Sequence, residues 1–506
     1  MRFLSFAFII AFIQVALAVP LDSLVARGLL KPSDDPFYKP KDGYEKLKVG
    51  EIINSRQITN PYGIAILKER IQSAYQLLVR SQDSFGNPNA IVTTVLIPHN
   101  VDNTKILSYQ PAVDTPSPDC APSYALQLGS DPSTWITTQI EQVLSEAGLY
   151  EGWIVVIPDY LGPKGAYGVG LQAGYSTLDS LKAVVSSNSI TGASKDAQIV
   201  LWGYSGGSQP SLWAAALAPN YAPLLKILGA AAGGLIIDLE AIATNAMKFP
   251  WAGLVINAIN GLANEYPTLK QYVKDNIYPA AQQKFFSVNN QCLIPSALSN
   301  LFSSWNQLTS LGASVLQQPA VKSVTSANNL LNLNAKPSIP LFIYNAKFDE
   351  IIPAREADKL FSKWCAQGVS IQYNQDLLSE HATQAIFGAG SAFSWIKDRF
   401  KGKKQTGCNK RPTISNALNF ESLFGFNSII SSALKTLFFQ LAGPRSKASA
   451  LFASVANIAE LPAKGNDTAE ATRTIVQGVA TTFAQADIDA VASGKAVLVN
   501  APTSAA

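Results

Sequence analysis

Histidine is nearly missing. Only His99 and His381 occur in 506 residues, and there is no Cys-x-x-Cys, so a structural zinc site lacks its usual ligands. No metal and no other cofactor is expected. Charge is scarce too: 15% of residues are charged and the formal net charge is +4, with the basic residues scattered rather than gathered into a stripe. That argues against a nucleic-acid partner. Hydrophobic residues make up 47%, which excludes a disordered chain and points to a globular protein with a large core. Beyond the N-terminus, apolar runs such as Ile227 to Ile237 are closed by Lys226 and Asp238, short of the roughly 20 residues a membrane span needs. No transmembrane segment is expected in the mature protein.

What is present begins with "MRFLSFAFIIAFIQVALAVP". One basic residue precedes an apolar run ending in Ala16-Leu17-Ala18, so residues 1–18 read as a signal peptide and the product as secreted. Cys120, Cys292, Cys365 and Cys408 then form an even set bound for an oxidising compartment, implying two disulfides with three pairings open. Asn466 opens the sequon Asn466-Asp467-Thr468, a candidate glycosylation site.

The Pro-punctuated stretch from Leu21 to about Tyr62 reads as an extended arm, and a hairpin follows in "AYQLLVRSQ" and "AIVTTVLIP". Short apolar strands then alternate with amphipathic helices, which predicts an α/β fold with a mostly parallel central sheet covered on both faces. The rhythm breaks over residues 235–333, an inserted helical cap, and resumes at "IPLFIYNAKFDEIIP". The catalytic body is thus expected over residues 19–234 and 334–411. Residues 412–506 are left as a mostly helical C-terminal extension. Lys410-Arg411 marks the junction, either as a processing site or as a charged turn.

The chemistry centres on Gly203-Tyr204-Ser205-Gly206-Gly207, a Gly-x-Ser-x-Gly preceded by a buried strand and followed by a helix. Such a turn leaves the serine hydroxyl proud of the sheet, while Gly203 and Gly207 let strand and helix approach closely. A serine needs a base, and in this architecture the acid and then the histidine follow it in the chain. His99 precedes Ser205, so His381 in "LLSEHATQA" is the candidate base. Asp349, beyond the apolar run of "LFIYNAKFDEIIP", is the candidate acid, with Glu350 as its neighbouring rival and helix capping as its plainer role. The N–H of Gly206 would supply one oxyanion donor, and the loop containing Asp114 the second.

Several co-linear stretches go further: "DPFYKPKDGYEKLKVGEI", "AVDTPSPDCAPSYAL", "IPDYLGPKGAYGVGLQAGYSTLDSLKA", "GYSGGSQPSLWAAALAPNYAP" and "FDEIIPAREADKL". Through them the chain, from about Pro36 to Cys408, resembles the fungal secretory lipases of the lipase A type. The resemblance implies an α/β-hydrolase fold with a helical cap, a triad of Ser205, Asp349 and His381, and oxyanion donors at Asp114 and Gly206. It also implies that Cys120 pairs with Cys292 and Cys365 with Cys408. The activity implied is hydrolysis of triacylglycerols or other long-chain esters at an oil-water interface, by an acyl-enzyme route. Phe249, Trp251, Leu254, Val255, Ile256 and Ile259 are candidates to line an acyl tunnel. A narrower esterase, such as a deacetylase of a secondary metabolite, and a catalytically silent binding protein on the same scaffold are the competing expectations.

Overall fold

The computed structural model describes residues 29–59, 62–64, 67–134, 138–247, 250–416, 420–437 and 440–444. The signal peptide and Asn466 lie outside the described residues.

Ten strands form one sheet. In chain order they are β1 (Ile52–Gln57), β2 (Ser73–Gln82), β3 (Pro88–Ile97), β4 (Asp102–Gln110), β5 (Trp153–Pro158), β6 (Gln198–Tyr204), β7 (Lys226–Gly233), β8 (Leu341–Ala346), β9 (Ile371–Asp376) and β10 (Cys408–Thr413). Their spatial order is β1-β2-β3-β5-β4-β6-β7-β8-β9-β10. The hairpin read in the sequence is β2 and β3, paired antiparallel from Ser73 opposite Ile97 to Gln82 opposite Pro88. The strands from β5 to β10 pair in parallel, so their C-terminal ends share one edge.

Side-chain alternation explains why helices cover both faces. In β6, Ile199 and Leu201 join one buried cluster, while Val200 and Trp202 join the other. The same split separates Leu341 and Ile343 from Phe342 and Tyr344 in β8. The period of two along a strand buried on both faces demands an apolar layer above and below. Helices α1 (Ile140–Tyr150), α2 (Gly170–Ser186) and α3 (Ser208–Tyr221) follow β4, β5 and β6. Residues of α2 and α3 pack with the first cluster, and residues of α1 with the second.

Between β7 and β8 the chain is helical from α4 (Leu239–Ala246) and α5 (Ala252–Glu265) through α6 (Pro267–Asn276) to a last turn at Leu330–Asn332. This insertion has its own apolar core, including Ile256, Leu262, Phe285 and Val324. It also takes in Ile236, ahead of α4, and Ile351 and Ile352 from beyond β8. After β8 come α7 (Ala354–Ala366) and, after β9, α8 (His381–Phe400).

Lys410 and Arg411 do not form a turn on a linker. They sit inside β10, opposite Tyr373 and Asn374 of β9, with Lys410 Nζ 2.7 Å from Asp358. The chain then continues into α9 (Phe420–Leu437), where Ser422 donates to Phe387 O at 2.8 Å and Thr436 to Glu146 at 3.1 Å. Residues 440–444 return to the body, with His99 N donating to Ala442 O at 2.7 Å.

Both disulfides have the pairing implied by the resemblance: Cys120 with Cys292 and Cys365 with Cys408. The first ties the segment after β4 to the cap. The second joins the end of α7 to the first residue of β10, at the edge where the parallel strands begin. It therefore lies at the opposite end of β9 from His381, which follows Asp376.

Candidate active site

The site is built at the C-terminal edge of the parallel strands. Strand β6 ends at Tyr204 and α3 begins at Ser208, leaving the single turn Ser205–Gly207 to take the change of direction, with Ser205 at its start. Its φ is +52°, a left-handed value that costs a non-glycine residue roughly 1 kcal/mol or more. The neighbouring glycines are there for space. A Cβ on Gly203 would strike the carbonyl of Gly207, and one on Gly207 would strike the carbonyl of Gln110.

His381 is the first residue of α8, whose N-cap Glu380 forms a capping box with Thr383. Its Nε2 is 2.8 Å from Ser205 Oγ, and its Nδ1 is 2.7 Å from Asp349 Oδ2. The other oxygen of Asp349 accepts from the N–H groups of Ile351 and Ile352, at 3.0 and 2.7 Å. Asp349 does not cap the following helix, whose N-cap is Pro353. Tyr204 donates its hydroxyl to His381 O at 2.7 Å and places its ring 5.2 Å from the imidazole. Three side chains from three loops thus form one hydrogen-bonded row. Such a row lets an imidazole take a proton from a hydroxyl while a carboxylate holds its other nitrogen.

Burial disfavours a charged His381, yet the charges of Asp349, Glu350 and Asp114 outweigh it and raise its pKa above the ordinary imidazole value. Asp114 also has a left-handed backbone, φ +51°, and is buried beside Gly206. A Cβ on Gly206 would strike the Asp114 carboxyl, which measures how closely that loop covers the turn. Burial pushes the Asp114 carboxyl up to about 6, against the opposing pull of His381 and of its hydrogen bond with Tyr167. His99 is elsewhere: it follows the end of β3, which runs antiparallel to β5, and so lies at the opposite edge of the sheet.

A cavity under the cap opens onto this row. Ser205, Asp114 and Tyr167 line one part, and apolar residues such as Ile236, Leu239, Leu262, Phe285, Trp305 and Val321 line the rest. Of the tunnel candidates, Leu254, Val255 and Ile259 are on its wall. Trp251 and Ile256 are not, and Phe249 lies outside the described residues. The reason is helical phase. Leu254, Val255, Ala258, Ile259 and Leu262 share one face of α5, whereas Ile256 lies off that face and is fully buried away from the cavity.

Several residues that position the site carried no motif. Buried Glu141 accepts from Ala112 N and from Tyr109 Oη, pinning the loop before Asp114, and burial pushes its carboxyl up to about 8. Asn257 of α5 donates to Asp114 O at 2.8 Å, so the cap itself braces that loop. Only Tyr204 had a sequence signal, as the residue before the motif serine.

A mostly parallel sheet with a serine on the sharp turn after a central strand, and a histidine and an acid on later loops, defines an α/β-hydrolase. The comparisons with known proteins give the family. The secretory lipase family profile matches residues 126–408. "Lipase 4" of Candida albicans is 42% identical over 395 residues, covering 76% of this chain and 85% of that one. "Lipase A" of Arthroderma benhamiae is 37% identical over 427 residues, covering 82% and 90%. The crystal structure of Candida antarctica lipase A in its closed state superposes with a TM-score of 0.73 at 27% identity, covering 80% and 96%. The chain belongs to the secretory lipase family and is a carboxylic ester hydrolase. Among the described residues, no helix is long and apolar enough to cross a membrane.

Proposed function

We propose that this protein is a secreted triacylglycerol lipase working through an acyl-enzyme on Ser205. The observation that carries the reading is the unbroken row from Ser205 Oγ through His381 to Asp349, at 2.8 and 2.7 Å, facing an apolar cavity large parts of which belong to the cap. Ser205 Oγ attacks the ester carbonyl carbon and its proton passes to His381 Nε2. The negative charge formed on the carbonyl oxygen is met by the N–H groups of Gly206 and Asp114. His381 then returns the proton to the leaving alkoxide, and a water repeats the cycle to release the fatty acid. Asp349 keeps the proton of the resting imidazole on Nδ1 and stabilises the imidazolium. No cofactor or metal is required.

In this reading residues 235–333 are the cap, and the body comprises residues 19–234 and 334–411 with the extension after it. Cleavage follows Ala18, the product is extracellular, and Asn466 is glycosylated. The substrate is an acyl ester presented at an oil-water interface, its acyl chain lying along Leu254, Val255 and Ile259. Initial rates on p-nitrophenyl esters from acetyl to palmitoyl, together with emulsified triacylglycerol, test the proposal. Long-chain esters and the emulsion are expected to be hydrolysed; activity confined to the acetyl ester defeats the lipase reading in favour of a narrow esterase.

The Gly206→Ala variant tests the oxyanion assignment. Its new methyl group would push the Asp114 loop off the turn, so kcat is expected to fall about a hundred- to a thousand-fold. A variant that folds with kcat within threefold of the parent means that this contact between Gly206 and the Asp114 carboxyl does not set the position of the oxyanion donors.

A further inference from the structure

Asp349 is followed by a second carboxylate that also reaches the histidine. While Asp349 Oδ2 meets the ring at Nδ1, Glu350 Oε2 accepts the backbone N–H of His381 at 2.9 Å. One dipeptide thus grips the same residue by side chain and by main chain. The grip has a support of its own. Asn245, near the end of cap helix α4, donates to Glu350 O at 2.9 Å and to Ile351 O at 3.3 Å. Helix α4 is in turn fixed at its start by Asp238, which accepts from Glu240 N and Ala241 N. The cap therefore holds the acid loop, and the acid loop holds the first residue of α8.

We propose that Glu350 is a positioning residue for ester hydrolysis, fixing the main chain at His381 and adding the second negative charge that favours its protonated form. The inference rests on the triad reading above. A loop glutamate with a merely structural role would leave the basicity of His381 alone, so the pH profile separates the two. The charged and titratable groups around the imidazole are Asp349 and Glu350 from the loop after β8, Asp114 from the loop after β4, the Tyr204 phenol from the end of β6 and, in electrostatic reach, Glu141 from the start of α1. Burial counts against the charged imidazole, and the carboxylates, Glu350 among them, act in the opposite direction. Ser205 can give its proton only to a neutral His381. Removing a negative charge lowers the pKa of His381, enlarges the neutral fraction at acid pH and moves the acid limb of kcat/KM to lower pH.

The experiment is the pH dependence of kcat/KM on a soluble p-nitrophenyl ester for the full chain and for Glu350→Gln and Glu350→Ala. Fluorophosphonate titration of Ser205 normalises each rate to competent enzyme. Glutamine retains an oxygen that can accept from His381 N but loses the charge; alanine loses both. The acid limb is expected to move down by about half a pH unit or more in both variants. The alkaline plateau of Glu350→Ala is expected to fall about tenfold below that of Glu350→Gln, because a displaced base loses its alignment. An acid limb that stays put in Glu350→Gln overturns the charge role, and equal plateaus overturn the positioning role. Should the alanine variant not fold, the glutamine profile decides alone. A parent enzyme whose Ser205 is never labelled defeats the triad reading itself, a result distinct from either.

Discussion

Replacing Ser205 by alanine is expected to lower kcat by about a millionfold, leaving only what the oxyanion donors and substrate binding supply over water. That loss corresponds to about 8 kcal/mol of transition-state stabilisation. Its size follows from the division of labour in the row. Without the hydroxyl 2.8 Å from Nε2, His381 has no proton to take and no acyl-enzyme forms. For the same reason the losses do not add: His381→Ala is expected to cost about as much, and the double variant hardly more. Folding should survive, since alanine at the left-handed position 205 bears the same backbone strain as serine. Rates on a p-nitrophenyl ester together with the thermal midpoint check this. Turnover within a hundredfold of the parent by a folded Ser205→Ala protein removes Ser205 from the chemistry.

How much of this was legible in the sequence depends on how local each cause is. Ser205 was readable because its turn has a steric signature: glycines two residues before and after it, a strand of Ile199 to Trp202 before, and an alanine-rich helix after. His381 was readable by elimination, since His99 stands ahead of Ser205 in the chain. Asp349 was narrower, because Glu350 beside it has the same chemistry. What separates them is which side chain reaches the ring, and that depends on loop geometry. The apparent rivalry conceals two different contacts with one histidine.

Long-range supports left no trace in the sequence. Glu141 is an ordinary glutamate at the start of α1, yet it accepts Ala112 N from 29 positions away in the chain. Asn257 reaches Asp114 O from the cap across 143 positions. Neither spacing follows from periodicity or turn chemistry: the first contact exists only once α1 has packed against the sheet, and the second only once the cap has docked on it. The tunnel candidates divided for a related reason. All were apolar and close in sequence, but helical phase puts Leu254, Val255 and Ile259 on the cavity wall and Ile256 off it. The dibasic pair misled for the opposite reason. Lys410-Arg411 carries a local charge signal, whereas its actual place is set by pairing of β10 along β9.

The Asp349→Asn variant is expected to lose about ten-thousand-fold in kcat, although it changes the side chain's shape little. The second carboxylate oxygen is the cause. Asp349 Oδ1 receives two backbone N–H groups, from Ile351 at 3.0 Å and Ile352 at 2.7 Å. An asparagine must keep its carbonyl there, since turning its NH2 towards two donors would leave both unpaired in a buried site. Its NH2 then faces His381 Nδ1, which can meet it only as an acceptor. The proton of the neutral imidazole moves to Nε2, the nitrogen that should accept from Ser205, and the base is disabled with its geometry intact. The same substitution at Glu350 has no such consequence, because Glu350 touches the main chain of His381 and not its ring. The two amide variants, compared at the alkaline plateau, are therefore expected to differ by orders of magnitude, with Asp349→Asn the slower in both ester turnover and fluorophosphonate labelling. Comparable rates for the two would mean that the carboxylate at Nδ1 does not set the tautomer, and the roles assigned to these neighbours would have to be exchanged or abandoned.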